Sequence, residues 1–165
     1  MDELVAVIGV DPGGTTGVGV ITLTEDAFHL EETFQFTDQD TAWVEVQAVV
    51  NKYDQLGYEV HLVVERFDKR PGIINPDYSA KFVERDIDNN VDGYYTAFKQ
   101  IPAEAKNFIK EAKNNQGKGD ALKRFGMYEP GKKHARDALR HAITYAVVRL
   151  KHRPLILRGW PKSHE

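Results

Sequence analysis

Three carboxylates stand where a folded chain seldom leaves an acid without a partner. Asp11 ends the apolar run Leu4-Val-Ala-Val-Ile-Gly-Val-Asp11 and precedes Pro-Gly-Gly. Glu65 ends a second run, Val60-His-Leu-Val-Val-Glu65. Asp137 lies in His134-Ala-Arg-Asp137-Ala-Leu-Arg-His141, where the last long helical pattern opens. An acid at the end of a buried strand is costly unless something pairs with it. A divalent cation pairs with several at once, which points to metal-dependent chemistry on phosphates. Taken singly, each has a plainer reading. Asp11 suits a turn, Glu65 beside Arg66 suits a surface ion pair, and Asp137 suits the positive end of a helix dipole. The argument for a site rests on all three together.

The elements that must position them read as α/β. Leu4–Val10 is a continuous apolar run suited to a strand buried on both faces. Gly13-Gly14 predicts a tight turn with glycine-specific backbone angles. Gly17–Thr24 reads as a returning strand and Phe28–Phe36 as a third, making an antiparallel meander. Asp40–Tyr53 has Trp43, Val46, Val49, Val50 and Tyr53 at helical spacing, and Glu59–Glu65 is the next buried strand. After the Pro/Gly-rich loop at 69–76, Tyr78–Asn90 predicts a helix whose weak apolar face is Phe82, Val83 and Ile87. Tyr94–Ile101 reads as a strand, and Pro102 as the first turn of a helix. Asn114–Gly119 is polar and predicts a mobile segment. Asp120–Phe125 predicts a short helix, and Lys132–Lys151 a long final one after the Pro130-Gly131 break.

This order predicts a five-stranded mixed sheet, a three-strand antiparallel meander plus two parallel strands, with helices on both faces. Asp11 and Glu65 then end neighbouring central strands, where open α/β sheets carry their sites. On the final helix, at about 100° per residue, Asp137 and His141 both fall within about 60° of His134. That shared face, turned toward the strand ends, would close a cage around cations. Arg136 and Arg140 fall on the other side, toward phosphate or solvent. His141 is expected to be packed in the core or to stand behind the site. Asp68 and Asp120 read as surface acids, and Trp43, Phe34 and Phe36 as core.

The 165 residues predict a single domain, and 28% charged with 41% hydrophobic residues fits a globular chain. No apolar run approaches the roughly 20 residues of a membrane span. The acidic start Met1-Asp-Glu leads into strand-like sequence, so no secretory signal is expected. With no cysteine, disulfides and cysteine metal sites are excluded, and a cytoplasmic setting is expected. The net charge of −3 conceals an asymmetry: residues 1–98 hold 6 Lys/Arg against 19 Asp/Glu, and residues 99–165 hold 16 against 6. Lys118, Lys123, Arg124, Lys132, Lys133, Arg136 and Arg140 gather near Asp137 in sequence and are candidates for binding nucleic-acid phosphates.

Together these residues resemble the RuvC-like Holliday junction resolvases of the RNase H-like superfamily, particularly the short phage-type members. The matching pieces are Ile8-Gly-Val-Asp11-Pro-Gly-Gly-Thr-Thr-Gly17, Leu62-Val-Val-Glu65-Arg-Phe67, Ile101-Pro-Ala-Glu-Ala-Lys106 and the stretch from Leu122 to His141. Any one is a weak signal, whereas their order and spacing form a fairly specific set. The resemblance implies that Asp11, Glu65, His134 and Asp137 are the catalytic and metal-binding positions. It implies two Mg²⁺ ions, with Mn²⁺ an alternative, branched DNA such as a four-way junction as substrate, and a homodimer nicking two strands symmetrically. In that scheme Asp11 bridges the ions and Glu65 and Asp137 hold one each. His134 is either a ligand or a group that positions water and moves its proton. Phe67 is a candidate to stack on an unpaired base.

Two features depart from the family. The helix Tyr78–Asn90, where such subunits pair, carries Glu84, Arg85, Asp86 and Asp88, so the dimer is expected to be weak or formed only on DNA. The spacing of Phe67 from Glu65 does not secure the stacking role. Among rival readings, a nuclease selective for flaps, other branched DNA or RNA-containing duplexes shares all the same residues. A noncatalytic DNA-binding module does not need three intact carboxylates. An actin-like nucleotide-binding domain shares the Asp11-Pro-Gly-Gly turn but needs two such units, for which this chain has no room.

Overall fold

The structure, a computed structural model, describes residues 3–67, 72, 77–108, 121–124 and 126–157. Along the chain run β1 (Val5–Asp11), β2 (Thr16–Leu23), β3 (Phe28–Phe36), α1 (Ala42–Gln55), β4 (Glu59–Glu65), α2 (Ser79–Asn90) and β5 (Thr96–Gln100). They are followed by α3 (Pro102–Phe108), α4 (Ala121–Arg124), α5 (Lys133–Val148) and α6 (Arg153–Leu157). The strands form one sheet in the order β3-β2-β1-β4-β5. β1, β2 and β3 are antiparallel neighbours, while β4 runs parallel to both β1 and β5. This is the mixed sheet that the order of apolar runs predicts.

β1 and β4 are apolar on both faces because each face meets its own helical layer. On one side Ala6, Ile8, Val10, Leu62 and Val64 pack against Val46, Val49 and Val50 of α1 and Val83 and Ile87 of α2. On the other, Val7, Ile21 and Val63 pack against Leu139, Ala142, Ile143 and Ala146 of α5. Trp43, Phe34 and Phe36, expected in the core, are half-buried along the edge of the first cluster. The expected apolar face of α2 splits: Val83 and Ile87 are buried, and Phe82 points outward.

Three local expectations differ from the structure. Neither Gly13 nor Gly14 takes a positive φ; Thr16 Oγ1 donates to the Gly13 carbonyl across this turn instead. β5 begins at Thr96, after Gly93 at φ 117° and the exposed Tyr94. The final helix stops at Val148, because Lys151 adopts φ 54° and breaks the helical path. The chain then starts α6, with Pro154 in its first turn, where a missing N–H costs nothing. The predicted mobile segment Asn114–Gly119 lies outside the described residues, as do Asp68 and Asp120. Among the described residues no helix is long and apolar enough to cross a membrane.

Candidate active site

Register builds the site. Val10 of β1 pairs with Val64 of β4 in parallel, so the next residues, Asp11 and Glu65, end adjacent strands side by side. Both lie in phase with Val7 and Val63, on the face covered by α5. The helix comes unusually close to the sheet there, because glycines line its path. A Cβ on Gly9 would overlap the carbonyl of Ala138, and one on Gly17 would overlap the carbonyl of His134. Gly17 is the antiparallel partner of Asp11, and Gly9 of Gly19. The small residues therefore bring the first turns of α5, and with them His134 and Asp137, down onto the strand-end acids. Gln35 of β3 fixes the same helix end, where its Oε1 accepts from the Ala135 N–H at 3.3 Å.

The side chains then divide between the strands. His134 Nδ1 stands 3.2 Å from Asp11 Oδ2. Nearly two turns along α5, His141 Nε2 donates to Glu65 Oε2 at 2.8 Å. Arg140 Nη1 donates to Asp137 Oδ1 at 2.9 Å. The Asp11 carboxyl is pushed up to about 9, first by burial and then by the nearby negative charges of Glu65 and Asp137; a hydrogen bond with Glu65 adds to this, and Lys133 opposes it. Asp11, Glu65 and Asp137 thus share one electrostatic environment that is short of positive charge. Oxygen donors crowded in this way fit a hard divalent cation. Among the described residues no three His, Asp or Glu side chains are arranged to hold one ion by themselves. Mg²⁺ does not require that, since it is commonly held by one or two carboxylates with substrate phosphates and water.

The basic residues are less uniform than their spacing suggests. Arg140, expected to face outward, is a correction: it is only 9% exposed and is turned in toward Asp137. Every residue of α5 from Ala138 to Val147 is buried, so Arg140 has no solvent face to turn to. Arg136 donates to the Glu129 carbonyl at 2.7 Å and lies over the Tyr128 ring, whose other cationic neighbour is Lys123. Lys132 pairs with Glu129 at 2.9 Å, and Thr33 of β3 donates to the same Glu129 at 2.7 Å. Lys133 is exposed next to His134. Lys118 and the side chain of Arg124 lie outside the described residues. Phe67 is half-buried, its ring 5.7 Å from that of Tyr78, and its N–H is held by Glu84.

Sequence reasoning missed Gln100. It is fully buried at the end of β5, in register with Glu65, and its Oε1 lies 2.7 Å from His141 Nδ1. A lone glutamine ending a strand reads as a solvated strand end. The only signal was its place opposite a strand-end acid.

A sheet of this order, with acids ending β1 and β4 beneath a helix that carries a third, defines the RNase H-like class of α/β fold. Within it the likeness is to RuvC. The structure of Thermus thermophilus RuvC in complex with a Holliday junction substrate superposes with a TM-score of 0.62 at 18% identity, over 88% of this chain and 96% of that one. A second structure of Thermus thermophilus RuvC superposes at 0.55 with 20% identity, over 89% and 97%. No family model and no curated protein sequence matches the chain.

Proposed function

We propose that this chain is a metal-dependent, structure-selective endonuclease that resolves four-way DNA junctions. The observation that carries the reading is the meeting of Asp11, Glu65 and Asp137 at the strand ends of a RuvC fold. Asp11, Glu65 and Asp137 would hold two Mg²⁺ ions, or Mn²⁺. Bound there, the cations would neutralise charge on the scissile phosphate and acidify the attacking water.

The chain's own groups do the rest. Asp11 and Glu65 are fixed by the sheet, so their carboxylates need little rearrangement on binding. His134, more exposed than its neighbours, hydrogen-bonds Asp11 and is placed either to add a nitrogen ligand or to take a proton from water. Arg140 holds Asp137 in place. Phe67, beside the exposed Tyr78, offers an aromatic surface near the site for an unpaired base. We take the chain to be one nuclease domain acting in the cytoplasm, on a junction whose two-fold symmetry calls for two copies. Arg85 and Asp88 of α2 stay exposed, so that helix keeps a charged surface and the dimer is weak without DNA.

Cleavage of a panel of junction, flap, duplex and hybrid substrates tests this reading, together with sedimentation of an inactive Asp11→Asn protein on a junction. Paired nicks at opposing positions and two chains per junction are expected. One chain per junction with single nicks would instead favour a flap-selective monomer.

The basic surface gives a second expected result. Changing Lys132, Lys133 and Arg136 together to glutamine should weaken DNA binding, most strongly at low salt. The slope of log affinity against log salt should fall by about 0.9 for each phosphate that the variant leaves unneutralised. Filter binding across a salt series measures it, and an unchanged slope would move the DNA path to another face.

A further inference from the structure

Strand β3 changes character as it nears the site. Toward α5 it first presents Phe28 and Leu30, which pack into the apolar cluster beneath the helix. Past the register shift opposite Val20 and Ile21, the same face carries Thr33 and Gln35. These two lie opposite Gly19 and Gly17, the glycines under α5. Both reach the segment that leads into the helix. Thr33 Oγ1 donates to Glu129 Oε1 at 2.7 Å, and Gln35 Oε1 accepts from the Ala135 N–H at 3.3 Å. The second contact supplies what α5 lacks. The first N–H groups of a helix have no partner within it, and a Ser, Thr, Asp or Asn side chain at the N-cap usually provides one. Here the N-cap is Lys132, which makes no side-chain cap, and the first turn holds no acid. The acceptor comes instead from β3, 100 residues earlier in the chain.

We infer that Gln35 is a positioning residue, which caps α5 from β3 and thereby holds His134 and Asp137 within reach of the strand-end acids. The register shows how. Gln35, Gly17 and Asp11 lie in one row across β3, β2 and β1. The His134 carbonyl lies against the bare Gly17, the His134 imidazole meets Asp11 at 3.2 Å, and the next N–H along the helix is held by Gln35. One sheet row thus fixes His134 at three points. The His134 side chain is 40% exposed, so packing does little to place it and the backbone beneath it must do so. The consequence for rate rests on the nuclease reading above; the cap and the placement of His134 do not.

Three variants of the full chain test this: Gln35→Leu, Gln35→Ser and Gln35→Glu. Leucine fills the space without an acceptor, and serine is too short to reach Ala135. Glutamate keeps the acceptor, at a helix end that favours negative charge. NMR of the protein without metal or DNA reads the cap. The Ala135 amide should exchange roughly 2- to 30-fold faster in Gln35→Leu, the range that loss of one helix cap corresponds to. In Gln35→Glu it should exchange at close to the wild-type rate. The His134 imidazole resonances should shift in Gln35→Leu and stay in place in Gln35→Glu. Single-turnover nicking of a junction in MgCl₂, with protein saturating, should be about 10- to 100-fold slower for Gln35→Leu at nearly unchanged junction affinity. Gln35→Glu should recover most of that rate, whereas a packing role alone predicts the reverse order, with leucine above glutamate. If circular dichroism shows that Gln35→Leu is unfolded, Gln35→Ser takes its place with the same expectations. Wild-type amide exchange and His134 resonances in the variants that lack an acceptor would overturn the inference. Altered resonances with an undiminished nicking rate would overturn the positioning role. Failure of wild type to nick a junction would overturn the nuclease reading alone, and the NMR comparison would still decide the cap.

Discussion

Asp11→Asn is expected to make the protein more stable and almost inactive. On the proposed metal-dependent reading, activity falls because an amide would hold a cation far less well than a carboxylate. The lost transition-state stabilisation is several kcal/mol, a rate loss of about 10³-fold or more. Stability rises for the converse reason. In the metal-free fold the Asp11 carboxyl is pushed up to about 9 by burial and by Glu65 and Asp137, while in the unfolded chain it sits near the ordinary value of about 3.9. The fold therefore binds this proton more tightly than the unfolded chain does. The associated stability is complete below about pH 4 and is lost as pH rises toward about 9. Asparagine resembles the protonated side chain at every pH and carries no such loss. The midpoint of thermal unfolding in chelator should rise by roughly 5–10 °C at neutral pH, with little difference at pH 4. The same linkage makes cation binding by wild type tighten with rising pH and release a proton, so its heat should vary with buffer ionisation enthalpy. A mutant that cleaves junctions at the normal rate, or that melts lower than wild type in chelator at pH 8, would remove Asp11 from the centre of the site.

The parts of this site that could be read from the chain are those in which local pattern and tertiary role coincide. β1 and β4 are largely apolar because both faces are covered, and an acid closing each run has few reasons to be there. The common face of His134, Asp137 and His141 follows from helical periodicity alone. What the pattern could not reveal is the division of labour across that face. His134 pairs with Asp11, whereas His141 reaches Glu65 on a different strand. That depends on the angle at which α5 crosses the sheet, which no local spacing encodes. Arg140 shows the same limit from the other direction. Its position away from His134 suggested solvent, but the side chain is buried and its guanidinium turns back to Asp137. Helix α6 was missed because five residues are too few for periodicity to register, and the turn before it depends on a positive φ at Lys151. Gln100 stayed hidden because burial of a single polar residue is decided by partners far away in sequence.

The glycines under α5 carry the second large expected effect. Gly17 looks dispensable in sequence, one of several in a glycine-rich turn and strand. In the fold its Cα faces the first turn of α5, and a methyl group there would overlap the His134 carbonyl and the Ala135 nitrogen. These are backbone atoms, so no rotamer change relieves the clash; either the helix end lifts or the strand bends. Overpacking of this kind costs about 1–3 kcal/mol, or a fall of roughly 2–10 °C in the unfolding midpoint. The functional loss should exceed what that fall implies. Lifting the helix end carries His134 and Asp137 away from Asp11, and a misplacement of about 1 Å in a reacting constellation costs about 10²-fold in rate. Gly14→Ala is the matched control, since its added carbon would meet only the Gln39 side chain at 4.0 Å. Single-turnover nicking at a temperature where both variants are folded separates the two effects. A hundredfold slower Gly17→Ala beside a normal Gly14→Ala is the expected pattern. Equal rates in the two would mean that the close approach of α5 to the sheet serves packing and leaves the geometry of the acids untouched.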